Sequence, residues 1–136
     1  MWIIYINASH PDAQKHGAIN LLSDSDFLSA VACMGAYHSI IEGSADPQVH
    51  YVDVATETVM DKTALGAILS TTTFTADGVA EAVLSGLPLP FNVLVNNEVV
   101  TVSDGSLEVT AEETGTIRIL CQSAKYFEER YTVYAI

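Results

Sequence analysis

The sequence predicts an all-β protein, and three observations predict it. From Thr71 to Ile136, short β-branched runs recur between turn signals at Asp77-Gly78, Ser85-Gly86, Asn96-Asn97, Asp104-Gly105 and Thr114-Gly115. Their spacing, roughly 8–12 residues, is that of an antiparallel sandwich or barrel. Inside the runs apolar residues alternate with polar ones, so one face of each strand is dressed for a core. Finally, 49% of the residues are hydrophobic and only 16% are charged, the balance of a chain that folds rather than stays disordered. With 136 residues the chain has the size of one domain, or of one compact domain with a smaller β-rich part.

Taken in order, Trp2 to Ile6 is wholly apolar, which makes it a strand that needs cover on both faces. Trp2, Ile4 and Ile6 share one face and Ile3 and Tyr5 the other. A sandwich covers one of these, so the first set is expected at an interface with a second copy. Asn7 to Gly17 has no periodicity and reads as an exposed loop, with His10 and His16 as solvated side chains rather than metal ligands. Residues 26–34 are open between a strand and a short capped helix within 24–34, with Phe27, Val31, Met34 and His38 at helical spacing. Strand is favoured for residues 36–42. Asp24 and Asp26 have the spacing of a calcium-loop start but lack its glycine and terminal Glu, so they read as turn or cap residues. Residues 49–62 form a hairpin, in which His50 and Asp53, three apart, fall on opposite faces.

The boundary between an N-terminal part, residues 1–63, and a C-terminal domain, residues 64–136, falls where Gly66 weakens a short apolar run. In the second part Phe91, Val93 and Val95, Val100 and Val102, Leu107 and Val109, and Ile117, Ile119 and Cys121 form the expected core. Leu87-Pro88-Leu89-Pro90 is an extended connection suited to crossing between sheets. Gly115, just before the most regular strand, is expected to hold a backbone angle that other residues tolerate poorly.

The net charge of −12, from 17 acidic and 5 basic side chains, excludes nucleic acid as a partner, since phosphate binding needs clustered Lys and Arg. Lys15, Lys62, Arg118, Lys125 and Arg130 are scattered along the chain. No apolar run is long enough to span a membrane, and residues 2–6 lack the basic start of a signal peptide, so synthesis in the cytoplasm is expected. Cys33 and Cys121 lie in apolar runs and read as buried free thiols. No serine sits in a nucleophile elbow, and Arg118 is expected to point away from Cys121 across the sheet. Glu112-Glu113 and Glu128-Glu129 read as solvated loop acids. No enzymatic activity, metal or cofactor is expected.

The order H-Y-V-D-x-A-T-x-x-V-x-D-K (His50 to Lys62), A-D-G (Ala76 to Gly78), S-G-L-P-x-P (Ser85 to Pro90), V-S-D-G-S-L (Val102 to Leu107) and G-T-I-R-I ending in K-Y (Gly115 to Tyr126) resembles small virion proteins of tailed bacteriophages. It covers Ile40 to Ile136. Where those proteins often carry D-P-A-T-G in the hairpin, this chain has Asp53-Val54-Ala55-Thr56-Glu57. The resemblance implies an Ig-like antiparallel β-sandwich after a β-rich N-terminal part, and a non-enzymatic, tail-associated structural component of the virion. Its partners would be copies of itself, as a homo-oligomer, and other virion proteins. Two alternatives stand beside it. One is a capsid decoration or cement protein. The other is a carbohydrate-binding module for host-surface glycans, using Tyr126, Phe127, Tyr131 and Tyr134 as a stacking platform.

Overall fold

The computed structural model describes residues 1–24, 26–32 and 34–136, so the buried thiol expected at Cys33 lies outside the described residues. The chain forms two compact units: Met1–Ala64 with Ser123–Phe127, and Leu65–Gln122 with Glu128–Ile136. The first boundary thus falls one residue from the expected one. Residues 123–127, which the sequence reading leaves in the C-terminal domain, group instead with the N-terminal unit. They are tied there by backbone hydrogen bonds: Ala124 N donates to Gln14 O at 2.8 Å, Thr63 N to Lys125 O at 3.2 Å and Phe127 N to Thr63 O at 2.9 Å.

In the N-terminal unit β1 (Trp2–Ile6) is the middle strand of an antiparallel sheet, with β2 (Ile19–Ser23) on one side and, after α1 (Phe27–Val31), β3 (His38–Glu42) on the other. A separate hairpin joins β4 (His50–Asp53) to β5 (Thr58–Asp61). Ile3 and Tyr5 cluster with Val52 of the hairpin, and Ile19, Leu22, Ile41, Val54 and Val59 pack around them. On the other face Ile4 is fully buried, and the Trp2 ring meets that of Phe27 with centroids 5.0 Å apart. Both faces of β1 are therefore covered from within the unit. The premise for an interface at Trp2, Ile4 and Ile6, a face left bare, does not hold, and Ile4 has no surface to offer a neighbour. Full burial of Ile3 and Ile4 contributes about 1.5–3 kcal/mol each.

The open segment resolves as a helix of five residues, Phe27–Val31, started by Asp26, whose carboxylate accepts from Ser29 N at 3.0 Å and from Ser29 Oγ. These hydrogen bonds hold the Asp26 carboxyl below its usual range. Asp26 is thus a cap and not a calcium ligand. The loop before β2 is more ordered than expected, with a short 3-10 turn at Ala13–Lys15 capped by Asp12.

The C-terminal unit contains β6 (Ile68–Leu69), β7 (Thr73–Phe74), β8 (Glu81–Ser85), β9 (Phe91–Val95), β10 (Glu98–Val102), β11 (Ser106–Thr110), β12 (Gly115–Cys121) and β13 (Glu129–Ala135). They make a five-stranded sheet, in the order β10-β9-β12-β13-β7, and a three-stranded sheet, β11-β8-β6. All pairings are antiparallel except β13 with β7. This is an open sandwich with the strand order of an immunoglobulin-type domain, and the barrel alternative drops out. Residues 86–90 carry the chain from one sheet to the other, as their prolines suggested.

The buried residues alternate as the pattern predicts. Phe91, Val93, Val102, Leu107, Val109, Ile119 and Cys121 are all buried. Val95 and Ile117 are only half-buried, and Val100 on the edge strand β10 is 37% exposed. The expected core omitted Ala82, Leu84, Val133 and Ala135, which are buried from β8 and β13. Asn96 and Asn97 both take positive φ, 49° and 67°, and close the two-residue turn between β9 and β10.

The position that requires glycine is Gly17 and not the expected Gly115. Gly115 has no left-handed backbone and a Cβ there would meet nothing within 4 Å, so the expected strain is absent. Gly17 has φ of 86°, and a Cβ would sit 2.0 Å from the Val52 carbonyl oxygen. Its own carbonyl accepts from Val52 N at 2.8 Å and its N–H donates to Ile6 O at 2.7 Å. Gly17 thus joins β1 to the hairpin through a contact that only glycine permits. Gly17→Ala should cost about 3 kcal/mol or more, by clash and strain together. Gly115→Ala should change stability by less than about 0.5 kcal/mol. Urea unfolding of both variants checks the pair, and equal midpoints would overturn the assignment.

Candidate functional site

The register of the five-stranded sheet decides which side chains leave the core. Arg118 lies opposite Thr132, Leu120 opposite Arg130, and Leu120 also opposite Leu94, which itself faces Val99. Because Val93, Ile119, Cys121 and Val133 point inward, these alternate neighbours point outward. They form a groove of about 530 Å³ lined by Leu94, Leu120, Arg118, Arg130, Thr132 and the Asn96-Asn97 turn, with Tyr131 and Ile119 beneath. Its floor is apolar and its charged groups are guanidinium.

Local bonds hold the walls. Asn96 N donates to Arg118 O at 2.8 Å and Asn96 Oδ1 accepts from Arg118 N at 2.9 Å, extending the β9–β12 pairing into the turn. Arg130 Nε donates to Glu128 Oε2 at 3.0 Å, and Gln122 Nε2 donates to Glu128 Oε1 at 2.6 Å. Those hydrogen bonds, Gln122 first and Arg130 second, hold the Glu128 carboxyl below its usual range. Among the described residues, the Arg118 guanidinium has no hydrogen-bond or ion-pair partner.

The sequence reading missed the groove because it treated the basic residues as scattered. Arg118 and Arg130 are twelve positions apart in the chain. Their even spacing put both on one face only once the β12–β13 register was known.

The four tyrosine and phenylalanine candidates for a stacking platform do not come together. Tyr126 and Phe127 belong to the N-terminal unit, while Tyr131 and Tyr134 leave β13 on opposite sides. Tyr131 shares its face with the buried Ile119, and its hydroxyl donates to the Glu129 carboxylate. Burial, that hydrogen bond and the Glu129 charge all raise the Tyr131 phenol above its ordinary value.

The other residues singled out serve local structure. His16 Nε2 donates to the His10 carbonyl oxygen at 2.7 Å, and His10 Nδ1 accepts from Asp12 N at 3.0 Å, so the two rings order their loop. His50 does have an acidic neighbour, but it is Asp61, its cross-strand partner in the hairpin, with Nε2 and Oδ1 3.2 Å apart. Asp53 caps the hairpin turn instead, accepting from Ala55 N and Thr56 N. Among the described residues no group of three His, Cys, Asp or Glu is placed to hold a metal ion, and no helix is long and apolar enough to cross a membrane.

Cys121 is a free buried cysteine. Burial first, and the Glu129 charge second, push its thiol up to about 11. It stays protonated and is a poor nucleophile, and Arg118 lies on the opposite face of the strand. No family model, curated protein or solved structure matches the chain.

The raised thiol gives a signed pH dependence. The unfolded chain loses the Cys121 proton near the ordinary value of 9.0 and the folded chain near 11. Stability is therefore full below pH 9 and falls as pH rises from there to about 11. Cys121 accounts for at most about 3 kcal/mol of that fall, and Tyr131 acts in the same direction. Melting temperatures across this window should drop less steeply for Cys121→Ala than for the parent protein. Parallel curves would show that the thiol ionises equally well in both states.

Proposed function

We propose that this chain is a non-enzymatic structural component of a bacteriophage virion, associated with the tail, where it packs against copies of itself and other virion proteins. The observation that carries this reading is how the residues of the phage-like motifs are used. Asp77 Oδ1 accepts from Val79 N and Ala80 N at 2.9 and 2.8 Å, and Asp104 Oδ1 accepts from Ser106 N at 3.1 Å. Gly78, Gly86 and Gly105 all hold positive φ. A Cβ on Gly105 would lie 3.2 Å from the Leu87 carbonyl oxygen, across the turn where Leu87 N donates to Gly105 O. The motif order is thus a description of an immunoglobulin-type sandwich turn by turn, and such a module offers faces for assembly.

The test is mass spectrometry of purified virions separated into heads and tails. The protein is expected in the tail fraction at a constant ratio to the tail proteins. Recovery with heads would assign it to the capsid surface, and absence from both fractions would overturn the virion role.

A further inference from the structure

The groove on the five-stranded sheet stands out electrostatically. The side chains that point out of that sheet are Thr73, Asn92, Leu94, Val99, Thr101, Thr116, Arg118, Leu120, Arg130, Thr132 and Tyr134 by register. None is acidic, in a chain with 17 carboxylates, and two of its 5 basic residues stand among them. Glu128, at the end of β13, engages only Nε of Arg130, leaving the outer edge of that guanidinium free to donate. The Arg118 guanidinium has no partner among the described residues.

We propose that this groove binds an extended acidic segment of a partner protein, with carboxylates at alternate positions. Arg118 and Arg130 are diagonal neighbours across the β12–β13 pair, a relation that sets such side chains about 7–8 Å apart. Alternate residues of an extended segment are about 6.6 Å apart on one face. One carboxylate then meets each guanidinium, and the methylenes of the acidic side chains rest on Leu94 and Leu120. The Asn97 amide and Thr132 hydroxyl stand at the groove to take backbone groups.

Charge distribution decides against a polyanionic glycan. A polyuronate carries charge along its whole length and would meet the carboxylates elsewhere on a protein of net charge −12. A short acidic segment needs only this face, where the one carboxylate beside the arginines, Glu128, is already engaged by Arg130 and Gln122. The one aromatic ring in the groove's lining, Tyr131, has its hydroxyl engaged by Glu129, and the exposed Tyr134 of the groove's face lies outside the lining. Binding here is independent of the virion assignment, since the isolated protein can be assayed directly.

The probe is a fluorescein-labelled Thr-Glu-Thr-Glu-Thr peptide, read by fluorescence anisotropy against the full chain. Saturable binding is expected, weakening several-fold from low to physiological salt. It should fall about tenfold or more, a loss of about 1.4 kcal/mol, when Gln replaces both Glu, and likewise for Arg118→Gln with Arg130→Gln in the protein. A peptide with adjacent acids, Thr-Glu-Glu-Thr-Thr, should bind more weakly than the alternating one. Both arginines are exposed, so the variant should melt as the parent does, and Arg118→Gln alone provides the reading if the double variant does not fold. Absence of saturable binding, equal binding of the Gln peptide, undiminished binding by the arginine variants, or tighter binding of polygalacturonate than of the peptide would each overturn the proposal.

Discussion

Seven consecutive residue pairs join β12 to β13, from Gly115 with Ala135 to Cys121 with Glu129, and the C-terminal unit depends on this register. It sends Ile119, Cys121, Val133 and Ala135 into the core and Arg118, Leu120, Arg130 and Thr132 into the groove. A slip of β13 by one residue would turn its outward set inward, burying the Arg130 guanidinium and exposing Val133 and Ala135. That penalty is far larger than any gain from an alternative pairing, so core and groove specify the register together. β9 and β10 then add to the free side of β12, and the Asn96-Asn97 turn closes on Arg118 with two hydrogen bonds.

The N-terminal unit solves a different problem. A strand apolar on both faces cannot lie on the surface of a sheet, and β1 is placed where it has neighbours in every direction. β2 and β3 satisfy its edges, the hairpin lies over Ile3 and Tyr5, and the short helix brings Phe27 to Trp2. The consequence is that the middle of the most hydrophobic stretch, Ile3 to Tyr5, is buried within its own unit. Exposed apolar surface is left elsewhere, on Leu28 of the helix and Val99 of the edge strand, which are 78% and 66% exposed.

Much of this was legible in the sequence where a local pattern alone decides the outcome. Alternation in Phe91-Asn92-Val93 and Ile117-Arg118-Ile119 gave strands and their inner faces, and the Asp-Gly and Asn-Asn pairs gave the turns. What stayed hidden needs knowledge of which strands pair. The burial of Ala82 and Ala135 could not be read from small side chains that suit either face. The Asp61 partner of His50 required the hairpin register, and the groove required a pairing between residues 118 and 132. Gly115 was misjudged and Gly17 passed over for a related reason: the need for glycine at Gly17 arises from a carbonyl at Val52, thirty-five positions away.

The excursion at residues 123–127 bears on the order in which the chain is completed. β12 and Gln122 belong to one unit, Ser123–Phe127 to the other, and β13 returns to the first. During synthesis the N-terminal unit can assemble its sheet and hairpin early, but Thr63 and Gln14 acquire their partners at Lys125, Phe127 and Ala124 only after some sixty further residues have been made. The amino-terminal half therefore waits on the carboxyl-terminal half for its last hydrogen bonds, and a nascent chain stalled before residue 123 leaves both halves unfinished.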